Sequence, residues 1–260
     1  FGANYEPVFA TNGNIIYIIC TTAVFLIAAL VLKRSPKLAK FWGIAYAFFI
    51  ASAVNLVSYY FAGYITDIVK LLGVRADENA VQGLDKVYDT LLVVIPVVVL
   101  TLAAGADMKS IYLSAGNNYR KWGLGIGVLV MIDFFSSALI FYGMGYTPAR
   151  LGTVILWGLV FSLSNSLLEE LWIRGIMLKK LVPLIGAAGA VLLTSITFGT
   201  LHFLGVAYLP ATVIPIFVIN TFAMGIACGI LMVKTDSIWG AYLIHAAADL
   251  FLFIATLAAH

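Results

Sequence analysis

Long, nearly continuous apolar runs fill this chain, and short polar breaks separate them. A bilayer-spanning helix needs roughly 20 mostly apolar residues. Eight segments meet that requirement: 14–32, 42–64, 87–106, 122–146, 151–173, 186–204, 210–233 and 237–258. Barrel strands would instead be short and alternating. The pattern therefore predicts an all-α polytopic membrane protein, a bundle of about eight transmembrane helices. Four of them fall in residues 1–149 and four in residues 150–260. No internal repeat or low-complexity tract is visible. The polar stretch from Lys70 to Lys86 reads as a loop or a short surface helix.

Composition strengthens this picture. Of 260 residues, 63% are hydrophobic and only 10% are charged, and the mean hydropathy is +1.05. A soluble domain carries about 25% charged residues, so the solvent of this surface must be lipid. The formal charge of +3 gives no reason to expect a nucleic-acid partner. Residues Phe1 to Asn14 hold no Lys or Arg and no early apolar run, so no cleaved signal peptide is expected, and a start at Phe1 without a Met reads as trimming or processing. Cys20 and Cys228 fall in apolar stretches and are expected to be small buried hydrophobes rather than a disulfide or a zinc site.

Basic residues orient the bundle. Lys33, Arg34, Lys37 and Lys40 follow the first segment, Lys109, Arg120 and Lys121 the third, Lys179 and Lys180 the fifth, and Lys234 the seventh. The other side has Lys70, Arg75, Lys86 and Arg150. The richer loops are assigned to the cytoplasm and both termini to the outside. Trp42, Trp122 and Trp239, near segment ends, read as interfacial anchors.

The polar residues inside the spans change the picture most. Ionisable groups at membrane depth are costly and mark function by default. Glu169 and Glu170 stand side by side in the fifth segment, with Arg174 one turn later. Glu170 and Arg174 are i,i+4 and share a face. Glu169 points about 100° away and is free to address another group. His202 lies in the sixth segment, and His245 and Asp249 are i,i+4 in the last. Ala246, Ala247 and Ala248 between them permit close packing. Such a set could activate a water and stabilise an oxyanion. It could equally ligate a divalent metal such as zinc through Glu169, His202, His245 and Asp249. Asp133 stands alone in the fourth segment and reads as a helix–helix hydrogen-bonding group or a partner of Arg174. Asn55, Asn165 and Asn220 read as packing groups.

Depth poses a problem. At about 1.5 Å per residue, Glu169 lies roughly 16 Å in from Lys180, and His245 roughly 12 Å in from Ser237. His202 would lie roughly 30 Å in from Val182 if every residue between were helical. Convergence then requires Pro183 to Gly189 to break the helix or sink into the bilayer.

At these residues the chain resembles the CAAX protease and bacteriocin-processing (Abi) family of intramembrane proteases, which includes the type II CAAX prenyl endopeptidases. The family pattern Glu-Glu-x-x-x-Arg, Phe-x-x-x-His, His-x-x-x-Asn/Asp is matched by Glu169, Glu170 and Arg174, by Phe198 and His202, and by His245 and Asp249. The resemblance covers roughly residues 150–255 and marks residues 150–260 as a catalytic core. It implies an integral protein of a prokaryotic cell membrane, whose site opens towards the cytoplasm and takes a peptide or lipidated protein from the lipid phase. It implies that Glu169 activates water with help from His202, that His245 and position 249 stabilise the oxyanion, and that Glu170, Arg174 and Phe198 support the geometry. The prenyl endopeptidases usually carry Asn at the last position. An ionised Asp249 cannot donate a hydrogen bond, which makes metal ligation more plausible there.

Two other classes are open. Some relatives act as bacteriocin-immunity or regulatory proteins, so a non-enzymatic membrane scaffold is the main alternative. A transporter or proton relay is suggested only by intramembrane Glu and His, and the paired inverted repeats of such proteins are lacking.

Overall fold

The structure is a computed structural model that describes residues 11–73, 78–118, 122–123, 127, 151–205, 212 and 214–257. Among the described residues the regular structure is helical. Its main helices are α1 (Thr11–Arg34), α2 (Trp42–Phe61), α3 (Tyr64–Leu71), α4 (Glu78–Ala103), α5 (Leu151–Glu169), α6 (Ile176–Gly205), α7 (Ile214–Thr235) and α8 (Trp239–Leu257). A wide π-helical turn, Glu170–Gly175, joins α5 to α6.

Five stretches among the described residues are long and apolar enough to cross a membrane, where the sequence pattern predicts eight segments. The fourth segment, 122–146, with Asp133, lies outside the described residues but for positions 122, 123 and 127. The fifth and sixth lie in one apolar stretch from residue 155 to 203, broken at Gly186. The Lys70–Lys86 stretch is not a separate surface element either. Its last residues are the first turns of α4, which begins at Glu78. Lys86 sits over the Phe161 ring at 5.2 Å, and Gly83 brings α4 so close to α5 that an added Cβ would meet the Trp157 ring at 2.9 Å. Packing against α5 thus extends this helix beyond its apolar run.

Lipid replaces water as the outer solvent, so large apolar side chains line the outside. Ile16, Val24, Ile27, Leu156, Ile196 and Ile219 are all exposed. Cys20, expected to be buried, is exposed as well, whereas Cys228 is buried, and both are free thiols. The difference follows from position: α1 packs mainly on α2 and leaves its other faces open.

The buried core draws on α2, α4, α5, α6, α7 and α8. Helix α5 packs on α8 and α4, and α6 packs on α7. Small residues permit this closeness. A Cβ at Gly240 would meet the Leu231 side chain at 2.7 Å, and one at Gly229 would meet Val191 at 3.0 Å.

One end of the bundle is tied together by polar contacts. Ile238 donates its backbone N–H to the Tyr112 carbonyl and Asn117 to the Thr235 carbonyl. Ser237 Oγ donates to the Ser114 carbonyl at 2.7 Å. Lys179 Nζ reaches Asp236 Oδ1 at 2.5 Å and the Lys109 carbonyl at 2.9 Å, while Lys180 donates to the Ser110 carbonyl. The basic loops after the third, fifth and seventh predicted segments therefore meet at the same end. Tyr112 is packed within this knot, and burial, with Asp236 nearby, pushes its phenol well above the usual range.

The run through α5 and α6 must turn back on itself. Glu169 and His202 are 33 residues apart in sequence, which is about 50 Å along a straight helix. Their side chains nevertheless come within 3.6 Å. The reversal is at Gly186, whose φ of 77° and ψ of 164° interrupt α6. That backbone conformation is essentially restricted to glycine. Nothing lies within 4 Å of a Cβ built there, so the constraint is torsional rather than steric. Pro183, by contrast, is accommodated inside the helix.

Gly186→Ala is expected to destabilise the protein by about 1–3 kcal/mol, the usual cost of holding such a conformation without glycine. Gly189→Ala, at a helical position with only ordinary contacts to Ile185, is expected to leave stability nearly unchanged. Unfolding of the two purified variants in detergent, followed by tryptophan fluorescence, distinguishes them.

Candidate active site

The reversal at Gly186 returns the second half of α6 to the π-turn, and there its Phe198 ring meets His245 of α8. Three local features then aim the polar side chains inward. The π-turn carries Glu170 and Arg174, and π-turns often occur at functional sites. The second half of α6 carries Phe198 and His202, and α8 carries His245 and Asp249 one turn apart.

Glu170 is the hub. It is fully buried, as are Arg174 and His245. Its Oε1 accepts a hydrogen bond from Arg174 Nη1, and His245 Nδ1 lies 2.8 Å from the same oxygen. A carboxylate oxygen only accepts, so the His245 Nδ1 carries the proton of that bond. The Arg174 guanidinium also stacks over the Phe198 ring, 4.4 Å from its centroid. Gly225 on α7 makes room for it, since a Cβ there would approach Arg174 Nη2 to 3.1 Å.

Phe198 is fully buried between the site's polar groups. Its ring centroid is 4.2 Å from that of His202 and 5.4 Å from that of His245. His202 Nδ1 lies 2.9 Å from the Phe198 carbonyl oxygen. The same reasoning gives His202 an Nδ1–H donor and turns its Nε2 towards α5.

Both imidazoles thus anchor one nitrogen and present the other. Glu169 Oε2 lies 3.6 Å from His202 Nε2 and 3.7 Å from His245 Nε2. Asp249 Oδ1 lies 3.5 Å from His245 Nε2. These separations exceed those of direct hydrogen bonds. Glu169 Oε2 and His245 Nε2 are buried atoms that lack a hydrogen-bond partner, and they face each other. Exposure is graded across the group. Glu170 and His245 side chains are 0% exposed, whereas Glu169, Asp249 and His202 are 12%, 13% and 21% exposed. The inner layer is sealed and the outer layer is accessible.

One contact falls outside the expected set. Asn165 Nδ2 donates to Asp249 Oδ2 at 2.9 Å. Asn165 is one helical turn before Glu169, so Asn-x-x-x-Glu spacing on α5 was the available signal. Asn55 is exposed and Asn220 half-buried.

Among the described residues, no group of three or more His, Cys, Asp or Glu side chains is arranged to hold a metal ion.

Residues 151–251 match the family model described as "Type II CAAX prenyl endopeptidase Rce1-like". The matched region begins at α5 and ends just beyond Asp249, so it spans every residue of the cluster. No curated protein and no solved structure matches the chain.

Breaking a buried ion pair leaves an uncompensated charge, which typically costs about 3–5 kcal/mol. Arg174→Ala should therefore strongly destabilise the protein. The double variant Glu170→Gln with Arg174→Met, which removes both charges, should be less destabilised than Arg174→Ala alone. Equilibrium unfolding in mixed micelles measures both.

Proposed function

We propose that this protein is an intramembrane endopeptidase that hydrolyses a peptide bond in a membrane-associated substrate, a prenylated CAAX-type peptide being the leading candidate. The reading rests above all on one observation: Oε2 of Glu169, whose side chain is partly exposed, faces the unanchored nitrogens of His202 and His245, at 3.6 and 3.7 Å. Contacts of this length suit a bridging water.

In the proposed reaction Glu169 is the general base. It takes a proton from a water held between Glu169 and His202 while the water oxygen bonds to the scissile carbonyl carbon. An N–H on His245 donates to the developing oxyanion. Glu169 then delivers its proton to the leaving nitrogen as the C–N bond breaks. Glu170, itself fixed by Arg174, holds the His245 ring in orientation, as the buried carboxylate does for histidine in other hydrolases. The residues matched to the family support assigning the substrate to the CAAX class, and the apolar exterior supports delivery from the bilayer.

Glu169→Gln keeps the size of the side chain and removes its basicity. It should lower cleavage of a prenylated peptide by about 10²–10⁴-fold, the usual contribution of a general base, while the protein stays folded. Full activity in this variant would end the assignment of Glu169. His202→Ala should also reduce cleavage strongly. Unprenylated and prenylated versions of one peptide, compared by mass spectrometry, test the substrate class.

Exhaustive treatment with a chelator is expected to leave cleavage unchanged. Loss of cleavage that zinc restores would instead assign Glu169, His202, His245 and Asp249 as ligands of a catalytic metal. A cellular phenotype that survives Glu169→Gln would favour a non-enzymatic scaffold or immunity role.

A further inference from the structure

We propose that Asn165 is a positioning residue of the site, acting through Asp249 on His245; this rests on the endopeptidase reading above. Asn165 and Glu169 share one face of α5, directed at α8. The Asn165 side chain is nearly buried. Its amide donates to Asp249 Oδ2 at 2.9 Å. The second oxygen of the same carboxylate, Oδ1, faces His245 Nε2 at 3.5 Å.

The division of labour within this pair follows from hydrogen-bond chemistry. Asp249 is an acceptor at both oxygens when ionised, and an amide is a donor at its nitrogen. With Oδ2 occupied by Asn165, the carboxylate is turned so that Oδ1 is what His245 meets. The His245 ring is hydrogen-bonded at Nδ1 by Glu170 Oε1, and the Asp249 carboxylate stands beside its free Nε2 at 3.5 Å. Two helices supply the restraints: the π-turn after α5 holds one nitrogen, and α5 itself, through Asn165, sets the group at the other.

Close approach of α5 and α8 makes the contact possible. Ser162 and Ser166 flank Asn165 on α5 and are buried. Ser166 returns its hydroxyl to the Ser162 carbonyl on its own helix. Asn165 instead spends its amide across the interface, on a residue of the cluster.

A purely structural asparagine and a positioning one make different predictions for turnover. Asn165→Ala is expected to lower kcat for a fluorogenic farnesylated peptide by about 10–100-fold, the range seen when an outer hydrogen bond to a site residue is lost. KM should change little, at an unchanged expression level. Asn165→Asp sets two carboxylates against each other and should be worse. The exchanged pair, Asn165→Asp with Asp249→Asn, restores one donor and one acceptor across the same interface. It is expected to recover at least about tenfold over Asn165→Asp, a coupling of the kind that a double-mutant cycle measures between contacting residues.

Independently of cleavage, infrared spectra of protein carrying 13C-labelled aspartate report the contact itself. The band lost in Asp249→Asn identifies Asp249, and it should shift in Asn165→Ala. The proposal is overturned by an unshifted band, by Asn165→Ala turnover within twofold of the unsubstituted protein, or by an exchanged pair no more active than Asn165→Asp. If the unsubstituted protein fails to cleave the peptide, the endopeptidase reading falls and, with it, the positioning role.

Discussion

Glu170 carries a charge-assisted contact that the rest of this site is built around. A carboxylate enclosed on all sides must be matched by donors. Arg174 supplies one from the next turn of the same chain, and His245 supplies another from α8. Because both donors converge on one oxygen, the facing helices are locked in register. The same contacts orient the His245 ring towards Glu169 and Asp249. Packing completes the enclosure. The Phe198 ring covers Arg174 and stands against both imidazoles.

A second constraint makes that hub reachable. The polypeptide passes from Glu169 to His202 without leaving helical structure for long, yet the two side chains meet. A single glycine conformation at Gly186 converts one overlong apolar run into two antiparallel arms. The π-turn at Glu170–Gly175 adds a local change of pitch where the charged residues sit. Backbone irregularity is tolerated at membrane depth when protein encloses it or it borders a polar cavity. The π-turn lies in the polar cluster itself, where protein encloses it, whereas Gly186 is exposed and stands 17 residues from Glu169 and 16 from His202.

Layering gives the cluster its chemical character. An inner shell of Glu170, Arg174 and His245 is closed to the outside, and an outer shell of Glu169, His202 and Asp249 is partly open. Groups that must stay fixed are inside, and groups that could meet a substrate are at the opening. Asn165 belongs to the boundary between them, through its bond to Asp249.

The sequence by itself determined the solvent, the helical class and the chemistry-bearing residues. Uninterrupted apolar length requires helices in lipid, and charged residues set into such length are conspicuous because their burial is costly. Glu169, Glu170, Arg174, His202, His245 and Asp249 were legible for that reason, as was the need for a break between Pro183 and Gly189. Only the tertiary structure decided that the break is at Gly186 and that α4 begins well before its apolar part. It also decided that Cys20 faces outward and that Asn165 turns towards Asp249. Hydropathy along one chain reports what each segment buries, but not which neighbour it is buried against. A neutral amide is cheap enough in a helix to leave no mark in that signal, so its partner emerges only when two helices are brought side by side.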